Sequence, residues 1–347
     1  MERKLATIRK ITSISPIEGA DSIELAKIDG WQVVVKKGEF KENDPCVYVE
    51  IDSILDPENP EFLFMQNRRF RVRTIKLRGQ LSQGIAFSVC ILPFNYIHDD
   101  SEFTKGEPYR YYVEGEDVTD ILKITKYEPN IPANLSGKIK GYFPTFLRKT
   151  DEERIQNLSQ AYENYRKSTY YVTEKLDGSS ATFYLNNGSF GCCSRNIDLL
   201  EDDTNLFWKV ARAMEIEKRM RELAEESKGA HVNFAIQGEL IGNGVQGNKY
   251  GLEANTVRFY NWFDIDMQQY APMSIFSSYI KRLGFQTVPI LDDFFPLPPS
   301  IDELLKYAEG KSTLNNNTER EGLVLRNESR TISFKVISNK FLLKNEE

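Results

Sequence analysis

Between residues 5 and 89, apolar and polar positions alternate in short runs, the two-residue period of half-buried β-strands. Leu5 to Ile11, Leu25 to Ile28, Trp31 to Val35, Cys46 to Val49 and Arg71 to Leu77 carry it most clearly. Asp29-Gly30, Lys37-Gly38 and Arg78-Gly79 mark turns, and Gln83 to Val89 reads as a closing strand. So many short strands predict a small barrel, and an OB-type barrel is one closure the pattern allows.

From residue 91 to 165 the pattern loses regularity. Acidic and aromatic residues mix from Asp99 to Glu116, and prolines fall at 129, 132 and 144. A connector is expected here, with a short helix opening near Thr150, because Thr150 and Glu153 have the spacing of a capping box. Beyond residue 166 strands and helices mix. Tyr170 to Glu174 and Ala181 to Leu185 flank a turn at Asp177-Gly178, and Phe190 to Cys193, Val232 to Ile236 and Ile332 to Ile337 read as further strands. Asn205 to Glu226 reads as one long helix, with Phe207, Val210, Met214 and Leu223 among its apolar positions.

Length changes this picture by asking for two domains, since 347 residues are many for one hydrophobic core. The 40% apolar and 28% charged content fits a globular protein. No apolar run reaches the roughly eighteen residues of a membrane helix. Met1-Glu2-Arg3-Lys4-Leu5 lacks the apolar stretch of a secretory signal, so a cytoplasmic location with no membrane partner is expected. Cys46, Cys90, Cys192 and Cys193 show no C-x-x-C spacing, and His98 and His231 are the only histidines. Both facts argue against structural zinc and for a reducing compartment. A net charge of −6 disfavours a surface that binds polyanions everywhere. It leaves room for a local basic groove built from Arg68-Arg69-Phe70-Arg71-Val72-Arg73, Lys76-Leu77-Arg78 or Lys138-Ile139-Lys140. Nothing in the sequence demands an assembly.

Five segments carry candidate chemistry. Thr173-Glu174-Lys175-Leu176-Asp177-Gly178 sets a lysine at a strand end before a tight turn. A lysine nucleophile must lose a proton that its ordinary pKa of about 10.4 retains, so a nearby cation would have to lower it. Gly178 lets backbone approach a ligand closely. Ser194-Arg195-Asn196 follows twenty residues later and offers guanidinium donors to a phosphate or ribose. In Gln237-Gly238-Glu239-Leu240-Ile241-Gly242 the carboxylate can accept a ribose hydroxyl or help hold a metal. Arg258 to Ile265 is an aromatic strand. Period two places Phe259, Asn261 and Phe263 on one face, and one ring of the strand can lie flat on a purine. Arg320-Glu321-Gly322-Leu323-Val324 supplies a possible metal ligand, and Lys335, fourteen residues after Glu321, a cation for an α-phosphate. Each segment alone also reads as an ordinary hairpin, core strand or surface ion pair. All five in order, on strands able to converge, favour a nucleotidyl-transfer site.

The set Lys175-Leu176-Asp177-Gly178, Ser194-Arg195-Asn196, Gly238-Glu239-Leu240, Trp262-Phe263-Asp264-Ile265, Glu321-Gly322-Leu323-Val324 and Phe334-Lys335 resembles the covalent nucleotidyltransferase superfamily of ligases and capping enzymes. Asn243-Gly244-Val245-Gln246-Gly247-Asn248 and Lys335-Val336-Ile337-Ser338-Asn339 look like RNA ligases, and a barrel ahead of them is similar to the ATP-dependent RNA ligases of the Deinococcus and Naegleria type. The resemblance implies an α+β fold. An N-terminal OB barrel that binds nucleic acid (1-100) and a connector with a short helix (101-165) would precede a mixed α/β, ATP-grasp-like nucleotidyltransferase domain built on antiparallel sheets (166-347).

It also implies roles. Lys175 takes AMP, Arg195 contacts the nucleotide or RNA end, Glu239 the ribose, and Phe263 stacks on adenine. Glu321 binds metal together with Glu239, and Lys335 contacts the α-phosphate. Many relatives carry Lys-x-Lys in the last motif, where this chain has Ile337, so Lys340 or Lys344 is left to supply the second charge. ATP and Mg2+, with Mn2+ able to substitute, are the implied cofactors. RNA with 3′-hydroxyl and 5′-phosphate ends, held as a nicked duplex, is the implied partner in RNA repair. A DNA ligase, a GTP-dependent capping-type enzyme and a non-catalytic RNA-binding protein on a ligase scaffold remain alternatives.

Overall fold

In the computed structural model, which describes residues 3–93, 113–128, 138–227 and 232–345, the alternating N-terminal segments are antiparallel strands. Ala6–Lys10 pairs with Pro45–Val49, and that strand pairs in turn with Ile85–Ser88. Ser13–Pro16, Ile23–Ile28 and Trp31–Lys36 make a second three-stranded sheet, and Thr74–Leu77 with Gln80–Gln83 a hairpin. Pro45–Val49 is apolar on both faces for a reason. Cys46 and Tyr48 turn toward Trp31, Val33 and Val35, while Val47 and Val49 turn toward Phe62 and Met65 of the 3-10 helix Pro60–Arg68. The strand expected from Arg71 begins only at Thr74, and the expected closing strand is interrupted at Gly84.

Met1–Asn130 with Leu342–Glu347 forms one compact unit and Ile131–Phe341 another. Parts of the expected connector, including Asp99, Pro129, Pro132 and the expected boundary at residue 100, lie outside the described residues, as do His98 and His231. Among the described residues no helix is long and apolar enough to cross a membrane.

The second unit holds two antiparallel sheets. The larger runs, in spatial order, through Ile139–Tyr142, Ile197–Leu199, Ser189–Cys193, Ser179–Asn186, Phe234–Ile241, Thr256–Asp264 and Gln269–Tyr270. The smaller is ordered Ile290–Pro296, Thr169–Lys175, Gly322–Arg326, Ser333–Ile337. Helices Leu206–Ala213, Ile216–Glu226 and Met273–Arg282 bury Trp208, Met220, Leu223 and Phe276 against Phe183, Phe234 and Trp262 of the larger sheet. Helix Ile301–Ala308 buries Leu304 and Leu305 against Leu323, Leu325 and Phe334 of the smaller one.

Three local expectations are corrected. The helix expected from Asn205 to Glu226 is two, because Glu215 takes a left-handed φ of 52° that no continuing helix can hold. The break rotates the apolar stripe, so Trp208 and Ala211 are buried before it and Ile216 and Met220 after it. Asn205 does start the first helix, its side chain accepting from the N–H groups of Phe207 and Trp208, a cap worth about 1 kcal/mol. Thr150 caps nothing. Its hydroxyl meets that of Ser180 at 3.1 Å, and the short 3-10 turn Ile155–Ala161 begins later. The strand expected to end at Ile236 runs on through Glu239, as Phe234–Ile241.

Candidate active site

Strand register brings distant parts of the chain to one face. In the smaller sheet Thr173 lies opposite Val324, which lies opposite Lys335, and Lys175 lies opposite Gly322. Side chains directly across a ladder share a face, so Thr173, Lys175, Val324, Arg326 and Lys335 point the same way. From the larger sheet Ser180 and Glu239, themselves partners in register, join them. These residues line a cleft of roughly 680 Å³ together with Arg195, Asn196, Tyr260 and Glu321. That volume lies within the range of ordinary ligand sites.

The lysine strand ends in a turn held on several sides. Lys175 Nζ sits 2.6 Å from Glu321 Oε1. Asp177 donates its backbone N–H to Tyr250 Oη at 2.7 Å, and its carboxylate meets Lys249 Nζ at 2.5 Å. A Cβ on Gly178 would lie 2.4 Å from the Leu240 carbonyl and 2.8 Å from Glu239 Cγ, so only glycine brings this turn against the Glu239 strand. Gly322 is bound by the same logic, since a Cβ there would lie 2.1 Å from the Val336 carbonyl oxygen. The close approach places Glu321 at the end of its strand, and Ser338 N–H donates to its carbonyl. Lys335 is seated through its backbone N–H on the Glu153 carbonyl at 2.8 Å. Arg326, almost fully buried, reaches the Thr173 hydroxyl at 3.2 Å and Glu152 at 3.1 Å.

The charges of this cleft depend on one another. Burial works against the Lys175 ammonium, but Glu321, Glu239 and Asp177 outweigh it and hold its pKa above the ordinary value. Burial, with Glu321 and Asp177 adding repulsion, pushes the Glu239 carboxyl up to about 8, although Lys175 and the Gly178 N–H oppose the shift. Burial, reinforced by Arg154 and Lys175, pushes Lys335 down to about 8. The cleft is therefore over-supplied with carboxylates around its lysine. Glu321 Oε2 is buried with no hydrogen-bond partner, an acceptor left over for a cation. Among the described residues no three His, Cys, Asp or Glu side chains gather around one point. A divalent ion here would complete its shell with water and phosphate oxygens, the habit of Mg2+ with nucleotides.

The Glu239 shift makes a stability prediction. Its folded pKa of about 8 exceeds the ordinary 4.5, so between those values the folded protein keeps a proton that the unfolded chain releases. Its contribution is fully present below pH 4.5 and is lost as pH rises through about 8. The slope is at most ~1.4 kcal/mol per pH unit. Melting curves between pH 5 and 8 should therefore fall less steeply for Glu239→Gln than for the wild type; parallel curves would contradict the burial argument.

Of the residues singled out in the sequence, Lys175, Glu239, Glu321 and Lys335 come together, and Arg195 lies on the cleft wall, exposed and bonded to Asp151 at 2.6 Å. Two do not join them. Phe263 is fully buried among Leu147, Tyr184, Cys193, Ala235 and Ile265. Phe263 lies opposite Ala235, on the face of Glu239 but two pairs farther along the strand, where Leu147 and Tyr184 cover it; nearer the cleft a bulge pairs Gln237 with Asn261 and Gly238 with Phe259, leaving Tyr260 opposite no residue. The extra residue shifts the strand's alternation, so Phe259 and Trp262 share one core while Tyr260 reaches the cleft. Lys340 pairs with Glu309 at 2.8 Å and does not line the cleft. Lys249, Tyr250, Tyr260 and Arg326 escaped the motif reading. A polar Gln246-Gly247-Asn248-Lys249-Tyr250 loop rich in turn formers was the one signal for the first two.

Comparison with known proteins agrees with this geometry. A family model for an OB-fold domain matches residues 5–89, and one for RNA ligase matches residues 168–344. Among solved structures, a Naegleria gruberi RNA ligase mutant with AMP and Mn is 40% identical, covers 99% of each chain and superposes with a TM-score of 0.81. The Naegleria gruberi RNA ligase with PPi gives 40% identity, 99% of each chain and a TM-score of 0.80. A mutant of that ligase with ATP and Mn gives 40%, 99% of each chain and 0.81. No curated protein matches.

Proposed function

The chain belongs to the RNA ligase family, and from that membership we propose the reaction cycle that its cleft performs. It is an ATP-dependent RNA ligase that uses ATP and a divalent cation, Mg2+ or Mn2+. One observation carries the residue assignment: Lys175 Nζ, Glu239, Glu321 and Lys335 share a single cleft although the chain separates them widely.

Lys175, once deprotonated, attacks the α-phosphorus of ATP. An N–P bond forms, the P–O bond to the β-phosphate breaks, and pyrophosphate leaves. The RNA 5′-phosphate then attacks the same phosphorus, and AMP passes from the lysine to the RNA end. A 3′-hydroxyl attacks that 5′-phosphate, the phosphodiester closes and AMP departs. Glu321, with Glu239 beside it, would hold the divalent cation, which would supply charge to offset the phosphates and the carboxylate field that keeps Lys175 protonated. Lys335 meets the α-phosphate, and its partial desolvation strengthens that contact. Arg195 reaches the nucleotide or RNA end. Tyr260 supplies the aromatic face that the cleft offers to adenine.

The substrate is a nick in a duplex, with 3′-hydroxyl and 5′-phosphate RNA ends, and the task is RNA repair. The barrel of residues 1-100 grips that duplex; Arg68, Arg69, Arg73, Lys76 and Arg78 are exposed on it. Cys46, Cys192 and Cys193 are buried free thiols, which fits work in the reducing cytoplasm.

The decisive assay offers nicked duplexes whose 3′-hydroxyl strand ends in RNA or DNA, with ATP or GTP labelled at the α-phosphate. Sealing of the RNA-ended nick, with label from ATP only, is expected. Equal sealing of both nicks would replace the RNA preference with a general ligase, and label from GTP would turn the reading toward capping.

A further inference from the structure

We propose that the loop from Gln246 to Tyr250 is a clasp on the nucleophile's turn, and that Lys249 is its positioning residue, aligning Lys175 for attack by gripping Asp177. The inference rests on the ligase reading and gives a task to a lysine that touches neither ATP nor RNA. Lys249 and Tyr250 do not line the cleft, whereas Asp177 and Gly178 do.

The loop holds every residue of the turn. Leu176 is buried against Tyr250, Ile241 and Val288. The Asp177 carboxylate meets Lys249 Nζ at 2.5 Å, and its backbone N–H donates to Tyr250 Oη at 2.7 Å. Gln246 Nε2 donates to the Gly178 carbonyl at 3.4 Å. Lys175 ends the strand Thr169–Lys175, so the ladder bonds that fix its backbone stop where the clasp begins. In-line attack tolerates little error in the place of the nucleophile, and a misplacement of about 1 Å can cost ~10²-fold in rate. A flexible lysine side chain inherits its aim from the backbone beside it, and here the loop sets that backbone.

The loop is built to impose a position rather than follow one. Gln246, Gly247 and Asn248 are left-handed in succession, with φ of 44°, 68° and 48°. Two of the three pay for a side chain in that region, so the surroundings must over-determine the shape. They do so at both ends of Lys249. Its carbonyl accepts from Asn315 Nδ2 at 2.9 Å and Thr318 Oγ1 at 3.0 Å. Its ammonium lies 4.5 Å from the centroid of the Phe341 ring, on the helix Asn339–Asn345. Asn248 braces the preceding bend, donating to Asn243 Oδ1 and the Leu252 carbonyl at 2.9 Å each and accepting from Leu252 N–H at 3.0 Å. A lysine anchored at carbonyl and ammonium has little rotamer freedom left, which separates this pair from an ordinary surface ion pair.

The test compares two reactions in Lys249→Met, Lys249→Arg and Tyr250→Phe: adduct formation from ATP, which needs an aligned Lys175, and sealing of pre-adenylylated RNA, which does not use that nucleophile. In Lys249→Met the adduct rate at saturating ATP should fall roughly tenfold to hundredfold, while the KM for ATP and the sealing of pre-adenylylated RNA stay within about twofold of wild type. Lys249→Arg keeps a cation for Asp177 and Phe341 and should recover the adduct rate to within about threefold. Adding Lys249→Met to Asp177→Asn should slow the adduct no further than Asp177→Asn alone, because the lysine acts through that carboxylate. Should Lys249→Met fail to fold, Tyr250→Phe decides: it keeps the ring in its core, removes the oxygen that receives the Asp177 N–H, and should slow adduct formation alone. An unchanged adduct rate, an equal loss in both reactions, failure of Lys249→Arg to recover it, or losses that multiply in the double variant would each overturn the positioning role. In those cases wild-type adduct still forms and the ligase reading stands. Absence of any adduct in the wild type would remove both.

Discussion

Lys175→Ala protein, incubated with Mg2+ and ATP labelled at the α-phosphate, will carry no covalent label, while the wild type will carry an acid-labile adduct. No other amine can take its place. Lys335 is tied to its own strand position across from Val324, and Lys249 is spent on Asp177. Lys175 alone ends its strand at the Asp177-Gly178 turn, where backbone can close on a ligand. Loss of the nucleophile removes a bond-forming partner rather than a stabilising contact, so the adduct falls below detection. The variant also strips Glu321 of a partner 2.6 Å away, which threatens the fold independently of chemistry. A second measurement separates the two. Sealing of RNA whose 5′ end already carries AMP bypasses the lysine, so a folded Lys175→Ala protein will still close that junction. A labelled Lys175→Ala protein, or loss of sealing on pre-adenylylated RNA at an unchanged melting temperature, would refute the assignment.

Short-range information served the strands better than the helices and caps. The core strands are legible because burial on two faces leaves a continuous apolar run, as in Leu323, Val324 and Leu325. The clustering of Lys175, Glu239, Glu321 and Lys335 was legible only as a set of motifs. Their convergence depends on register, which no local pattern encodes: Lys175 meets Gly322 across nearly half the chain. Phe263 was misplaced because period two gives a face and not a depth: it shares the face of Glu239 but is covered by Leu147 and Tyr184, while the unpaired residue at Tyr260 puts Phe259 and Phe263 on opposite faces and lets Tyr260 reach the cleft. The capping-box spacing at Thr150 and Glu153 misled for a related reason. The Thr150 hydroxyl is taken by Ser180, thirty residues away, and a tertiary bond outcompeted the local one. Glu215 broke the expected helix with a left-handed residue that is not glycine or asparagine, so no propensity rule marks it.

Lys335→Met will cut adduct formation by roughly 10²–10³-fold and yet raise the melting temperature at pH 7. Both halves follow from one physical fact. Burial, with Arg154 and Lys175 adding repulsion, pushes Lys335 down to about 8 from an ordinary 10.5. A depressed lysine pKa means that the folded protein resists the charged form. Between about 8 and 10.5 the unfolded chain holds a proton that the folded one releases, so stability rises with pH through that window and the charge is a burden below it. Methionine fills a similar volume without the charge and removes the burden. The α-phosphate is the partner that reverses the cost, since a desolvated ammonium gains most from an anion arriving in the same low-dielectric cleft. The same shift predicts that the KM for ATP in the wild type climbs as pH rises through about 8, where the free enzyme's Lys335 loses its proton. In Lys335→Met that climb should disappear. A merely structural lysine would give the opposite pattern: Lys335→Met would melt earlier, adduct formation would decline only in step with the folded fraction, and the pH dependence of the KM would survive the substitution.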